Sequence, residues 1–154
     1  MTDPCPDAPR ERPFASLAQE AQLAVIRTAA LLMDDFELLL KPHGITGPQY
    51  NVLRILRGAE PDALCRNEIR DRMLTRMPDM TRLLDRMEEA RLVARTRDAA
   101  DRRLVSTALT AEGRRVLDAL DAAVCAEQRR RFQALDEGQV RTLVDLLSTV
   151  RQTG

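Results

Sequence analysis

A chain of 154 residues is long enough for one domain with a real core. It carries 24 Lys and Arg against 24 Asp and Glu, and a net charge of zero argues, taken alone, against a polyanion partner. No apolar run approaches the roughly 20 residues needed to cross a bilayer, and Cys5, Cys65, Cys125 and the single His43 have the spacing of neither a disulfide framework nor a zinc site. No membrane, metal or cofactor is therefore expected, and the polar N-terminus, unlike a signal peptide, points to a soluble cytoplasmic protein. Ala, Leu, Arg, Glu and Asp dominate while β-branched residues are thin, which predicts a mostly helical fold.

Residues 1–13, with Pro at 4, 6, 9 and 13, are expected as a disordered tail ahead of one domain over 14–154. Apolar residues at three- and four-residue spacing predict a first helix from Phe14 to Leu40, broken by Lys41-Pro42-His43-Gly44. Thr46-Gly47-Pro48-Gln49 reads as a capping box that opens a second helix, which stops at Gly58. A short third helix follows over Arg66–Met73. After a turn, Leu74–Met77, a fourth helix runs from Pro78 to Ala90, with Met80, Leu83, Leu84 and Met87 as its buried stripe. Two strand-like segments, Leu92–Thr96 and Leu104–Leu109, flank a charged tip. A long helix then runs from Thr110 to about Leu135, and a last one covers Glu137–Arg151.

The zero net charge hides an uneven distribution. Residues 66–103 hold eleven Arg against eight acids, while residues 1–65 hold six basic residues against nine. A short helix joined by a tight turn to a helix with a polar stripe is a helix-turn-helix, and the charged hairpin after it is a wing. The hairpin tip carries Arg95, Arg97, Asp98, Asp101, Arg102 and Arg103 and no large apolar side chain, so it is either a solvated loop or a surface for a polyanion.

Glu68-Ile69-Arg70-Asp71-Arg72-Met73, Pro78-Asp79-Met80-Thr81-Arg82-Leu83-Leu84-Asp85-Arg86-Met87-Glu88 and Leu92-Val93-Ala94-Arg95 precede Asp101-Arg102-Arg103-Leu104-Val105 and Leu109-Thr110-Ala111-Glu112-Gly113. In this run, which contains the wing pattern Asp-x-Arg followed by Leu-Thr-x-x-Gly, the chain resembles the MarR family of winged-helix transcription regulators over about residues 14–151. The resemblance implies a mainly α fold with a small β-hairpin. The winged helix-turn-helix would span about 46–110, and helices at about 14–40 and 111–151 would join two copies into a homodimer. Three positions depart from the family pattern. Arg91 stands where Gly usually follows the recognition helix, so a strained left-handed cap is expected there; Arg70 replaces a small residue and Leu74 a turn Gly.

The resemblance also implies a partner, double-stranded DNA with an inverted-repeat operator. The expected contacts from the turn and fourth helix are Arg76, Pro78, Asp79, Thr81, Arg82 and Arg86. Arg82 and Arg86 suit guanine or phosphate, and Thr81 suits phosphate or a thymine methyl. Asp79 suits a cytosine amino group or a pair with Arg82 or Arg76 within its own helix. In the wing, Arg103 is expected in the minor groove with Asp101 orienting it, while Arg95, Arg97 and Arg102 contact the backbone.

His43 and Tyr50 flank the junction where family members commonly bind effectors. They are candidates for a small aromatic or phenolic ligand, with a connector His and a core Tyr as the alternative. Cys65-Arg66-Asn67-Glu68 looks like a capping box with sulfur in place of oxygen, and a thiolate there is favoured by the helix end, which makes Cys65 a candidate oxidant sensor, with a small tolerated residue as the alternative. Cys125 reads as core or dimer interface. The expected function is a cytoplasmic, nucleoid-associated, sequence-specific transcriptional regulator of a bacterium or archaeon, a repressor released by an effector. The alternatives are oxidation sensing through Cys65 and a winged-helix module that binds protein without DNA. An enzyme is not expected, because no nucleophile–base pair, phosphate-binding Gly loop or metal spacing is visible.

Overall fold

The computed structural model describes residues 16–97 and 105–152. The expected N-terminal tail and the hairpin tip with Asp101, Arg102 and Arg103 lie outside these. In chain order the elements are α1 (Leu17–Leu40), a 3-10 turn (Lys41–His43), α2 (Gly47–Ala59), β1 (Leu64–Cys65), α3 (Arg66–Arg72), α4 (Met80–Glu89), β2 (Val93–Arg97), β3 (Val105–Leu109), α5 (Ala111–Phe132) and α6 (Glu137–Gln152). The chain divides into two compact units, one ending at Asp35 and the other beginning at Phe36.

In the first unit α1 is a regular helix whose large side chains are not buried: Leu17, Val25, Ile26, Leu31 and Met33 are all exposed. Leu40, in the second unit, is the one buried residue of this helix. There the chain turns as its Pro42 and Gly44 predict. Gly44 takes a left-handed φ of 69° and its amide donates to the Lys41 carbonyl at 3.1 Å. Thr46 and Gln49 form the expected capping box, the Thr46 amide donating to Gln49 Oε1 at 2.9 Å. α2 runs through Gly58 to Ala59, one residue past the expected stop.

The core of the second unit gathers one apolar face from each element. Val52, Leu53 and Leu56 of α2 join Ile69 of α3, Leu83, Leu84 and Met87 of α4, and Leu117, Leu120 and Val124 of α5 in one cluster. The expected stripe of α4 is therefore its core face. α6 has no buried residue, and Val144, Leu146 and Val150 are exposed along it. No helix among the described residues is long and apolar enough to cross a membrane.

The expected hairpin is present and is part of a larger sheet. β1 joins it in the order β1-β3-β2, all antiparallel, with Leu64 opposite Thr107 and Cys65 opposite Ser106. A two-residue strand has no periodicity to betray it, so only the pairing with β3 reveals it. The β2–β3 register sets Val93 against Leu109 and Arg97 against Val105, so the strands lead directly into the hairpin tip.

Candidate nucleic-acid interface

α4 begins two residues later than expected. Asp79 is its N-cap, its Oδ1 accepting from the Arg82 amide at 3.0 Å, so Pro78 precedes the cap and is outside the first turn. The carboxylate expected to reach a cytosine or a neighbouring guanidinium is thus engaged by backbone at the helix start. The opposite face from the core is polar, with Thr81, Arg82 and Arg86 exposed on it. Arg76 and Pro78 are exposed in the turn before it, and Arg97 is exposed at the end of β2. Among the described residues, the side chains of Arg76, Arg82, Arg86 and Arg97 have no acidic partner. The turn itself is anchored at Leu74, whose amide donates to Asn51 Oδ1 of α2 at 2.9 Å. Leu74 replaces the glycine common at this point without taking a positive φ, and its side chain is 87% exposed.

Arg95 differs from its neighbours. It pairs with Asp85, and its Nε is 3.4 Å from Glu88 Oε2, while its backbone amide donates to Glu88 Oε1 at 3.2 Å. Placed between β2 and α4, it straps the wing to the recognition helix instead of standing free for a phosphate. The same pairing removes two acids from the competition for Arg82 and Arg86. Sequence pattern does not reveal this, because an arginine on a strand and acids one turn apart on a helix meet only through the fold. Arg66, which sequence did not single out, is brought to α4 as well, its Nη1 donating to Thr81 Oγ1 at 3.0 Å.

The base of the wing is latched at Thr110. Its hydroxyl lies 2.7 Å from the Arg91 carbonyl oxygen and 2.9 Å from that of Leu92, and it accepts from the Gly113 amide at 3.0 Å as the N-cap of α5. Arg91 has φ 59°, the left-handed cap expected where a glycine is usual. A β-carbon on Gly113 would lie 2.2 Å from the Leu92 carbonyl oxygen. The Leu-Thr-x-x-Gly pattern is therefore a joint: the Thr110 hydroxyl accepts from the start of α5 and faces the two carbonyls just ahead of β2, and Gly113 permits the close approach.

Cys65 is half-buried at the start of α3 and forms the expected box with Glu68, its amide donating to Glu68 Oε2 at 2.7 Å. Hydrogen bonds from the Cys65 amide and then its side chain hold the Glu68 carboxyl below the usual carboxylate range. Its surroundings form a cleft of about 290 Å³ with Arg66, Asn67, Thr81, Leu84 and Arg95. Cys125 is exposed on α5, which removes the core alternative for it. Tyr50 is buried, its ring in an edge-on contact with Phe36 at 5.0 Å and its hydroxyl 3.4 Å from Arg54 Nη1, so it packs in the core. His43 is exposed in the 3-10 turn. The structure thus assembles the turn, α4 and the wing strands, and leaves the two effector candidates in different environments.

The sequence model of the MarR family matches residues 43–104, which include α2, the helix-turn-helix and the wing. The chain is 34% identical over 136 residues to the HTH-type transcriptional regulator TtmR of Methylorubrum extorquens, covering 88% of this chain and 68% of that one. A crystal structure of a MarR transcription factor from Planctomyces limnophilus is 34% identical, with a TM-score of 0.69, over 88% of this chain and 98% of that one. CouR from Rhodococcus jostii, solved with bound p-coumaroyl-CoA, is 26% identical with a TM-score of 0.75, over 89% of this chain and 95% of that one.

Proposed function

The chain belongs to the MarR family of transcriptional regulators, and from that premise we propose that it grips an inverted-repeat DNA operator as a homodimer. Each copy presents α4 to the major groove and the wing to the adjacent minor groove. The observation that carries this reading is the set of exposed arginines, Arg76, Arg82, Arg86 and Arg97, which meet no acidic partner among the described residues. Net charge is zero over the whole chain, yet three of the four acids on the recognition helix and its cap are engaged: Asp79 by the helix end, and Asp85 and Glu88 by Arg95. An arginine left without a carboxylate on a convex helix face suits phosphate and guanine.

Thr81, tied to Arg66, suits a phosphate contact and positions the helix without reading sequence. Arg103 and Asp101 are assigned to the minor groove and Arg102 to the backbone, on the wing pattern of the sequence. Arg95 acts through the helix it straps. The exposed apolar side chains of α1 and α6 are the faces that a second copy would cover. The protein works in the cytoplasm as a repressor, with no catalytic step, and is released by a small aromatic or phenolic effector. The p-coumaroyl complex of CouR supports that effector class, and His43 is its exposed candidate contact.

Selecting genomic fragments with the protein defines the operator, and Arg82→Ala and Arg103→Ala are then measured on it. Each is expected to cost about 1–3 kcal/mol of binding if its contact is to a base edge. Unchanged affinity in folded dimers of both variants would refute the assignment of helix and wing.

A further inference from the structure

We propose that Arg57 is a positioning residue: its forked ion pair with α5 fixes how the DNA-binding lobe is held, and so sets the half-site spacing that the dimer accepts. The proposal rests on the DNA-binding reading above. Arg57 lies in the last turn of α2, the helix that leads into the helix-turn-helix. Its Nη1 and Nη2 donate to Asp121 Oδ2 and Oδ1 at 2.9 and 2.8 Å, and Nη1 is also 3.4 Å from Asp118 Oδ1. A second strut, Arg114 with Glu60, ties the C-cap of α2 to α5. Residues 114, 118 and 121 recur at helical spacing, so one face of α5 carries all three contacts.

Beneath these pairs α2 and α5 meet through aliphatic side chains. Leu53 and Leu56 on one side and Leu117 and Leu120 on the other are at most 1% exposed. Aliphatic packing is not directional and tolerates small rolls of one helix on the other. A guanidinium set on both oxygens of one carboxylate is directional, and it selects one of those arrangements. The pair is partly shielded, with Arg57 24% exposed and Asp121 43%. Its hydrogen bond raises the Arg57 pKa and lowers that of Asp121, so each charge is held by the other. None of these residues lies on α4 or on the wing strands, yet α2 shares its core with α3 and α4. A change of angle at Arg57 is therefore carried to the recognition helix without disturbing its surface.

The test uses the full-length dimer and fluorescence anisotropy on three kinds of duplex: the selected inverted repeat, the same repeat with its spacer changed by one or two base pairs, and a single half-site. Wild type is expected to prefer one spacing. Arg57→Ala and Asp121→Asn are expected to bind the half-site as wild type does. Their preference for the best spacing should fall by about fivefold or more, the lower end of coupling between linked sites. Wild-type spacing preference in both variants would overturn the proposal, as would a loss of half-site binding that accounts for the whole effect. If Arg57→Ala does not fold, Arg57→Lys serves in its place, since it keeps the charge and loses the two-point fork; undiminished preference there overturns the proposal equally. Failure of wild type to bind any duplex would remove the DNA-binding reading itself, a result distinct from either.

Discussion

Replacing Gly113 by alanine places a methyl group 2.2 Å from the Leu92 carbonyl oxygen, 2.9 Å from Leu109 Cδ1 and 3.2 Å from Leu53 Cδ2. Leucine side chains can turn aside, but the carbonyl cannot move freely. It accepts from the Thr110 amide at 3.3 Å and lies 2.9 Å from the Thr110 hydroxyl. Helix propensity alone would favour the alanine by roughly 1 kcal/mol. Overpacking against a fixed backbone costs about 1–3 kcal/mol, and weakening one latch hydrogen bond adds about 0.5–1.5 kcal/mol. The expected net loss is about 2 kcal/mol, or roughly 4–8 °C in Tm for a chain of this size. Thermal unfolding at matched protomer concentration measures it, since dimerisation makes Tm depend on concentration. Gly58→Ala is the control: Gly58 also lies in a helix, with nothing within 4 Å of its added β-carbon, and should gain about 0.5–1 kcal/mol. If Gly113→Ala were as stable as wild type while Gly58→Ala behaved as expected, the close approach at the wing joint would be wrong.

Arg91→Gly should stabilise the protein by about 1 kcal/mol, because φ 59° costs a residue with a β-carbon and not glycine; chemical denaturation reads the change, and a loss would contradict the left-handed cap. Asp79→Ala should cost about 1 kcal/mol through the lost N-cap, whereas Asp79→Asn, which still caps, should keep both stability and operator affinity. A large affinity loss in Asp79→Asn alone would return the carboxylate to base recognition. Asp121 is held below its ordinary pKa by the Arg57 hydrogen bond, so its contribution is present above the unfolded value and is lost as pH falls through the folded one. Between about pH 5 and about pH 3, wild type should lose more stability than Asp121→Asn; parallel curves would mean that the pair does not bear on folding.

Most of the architecture was legible because each helix announces itself twice, by an apolar period and by its ends. Thr46, Thr110 and Gly44 did the second task where the structure has its boundaries. For Asp79 the sequence leaves a base contact and a pair with Arg82 or Arg76 open, and the N-cap role emerges only from the backbone geometry. β1 was not legible, since it exists only through pairing with a strand far along the chain, and the Arg95 strap was not, since it needs the turn that folds β2 back against α4. Arg91 was legible as a departure, and its backbone angle shows that the turn keeps its shape despite the side chain. Tyr50 illustrates the limit of position as a guide to ligands. Lying beside a helix junction made it a candidate, and burial against Phe36 gives it a packing role.

The measurement that bears most directly on the whole account is the affinity of the purified protein for its selected inverted repeat across a range of salt concentrations. The account predicts one dimer per repeat and a log affinity that falls linearly with log salt, with a slope of about −0.9 for each phosphate neutralised. A correctly folded protein that binds no duplex DNA even at low salt would contradict it.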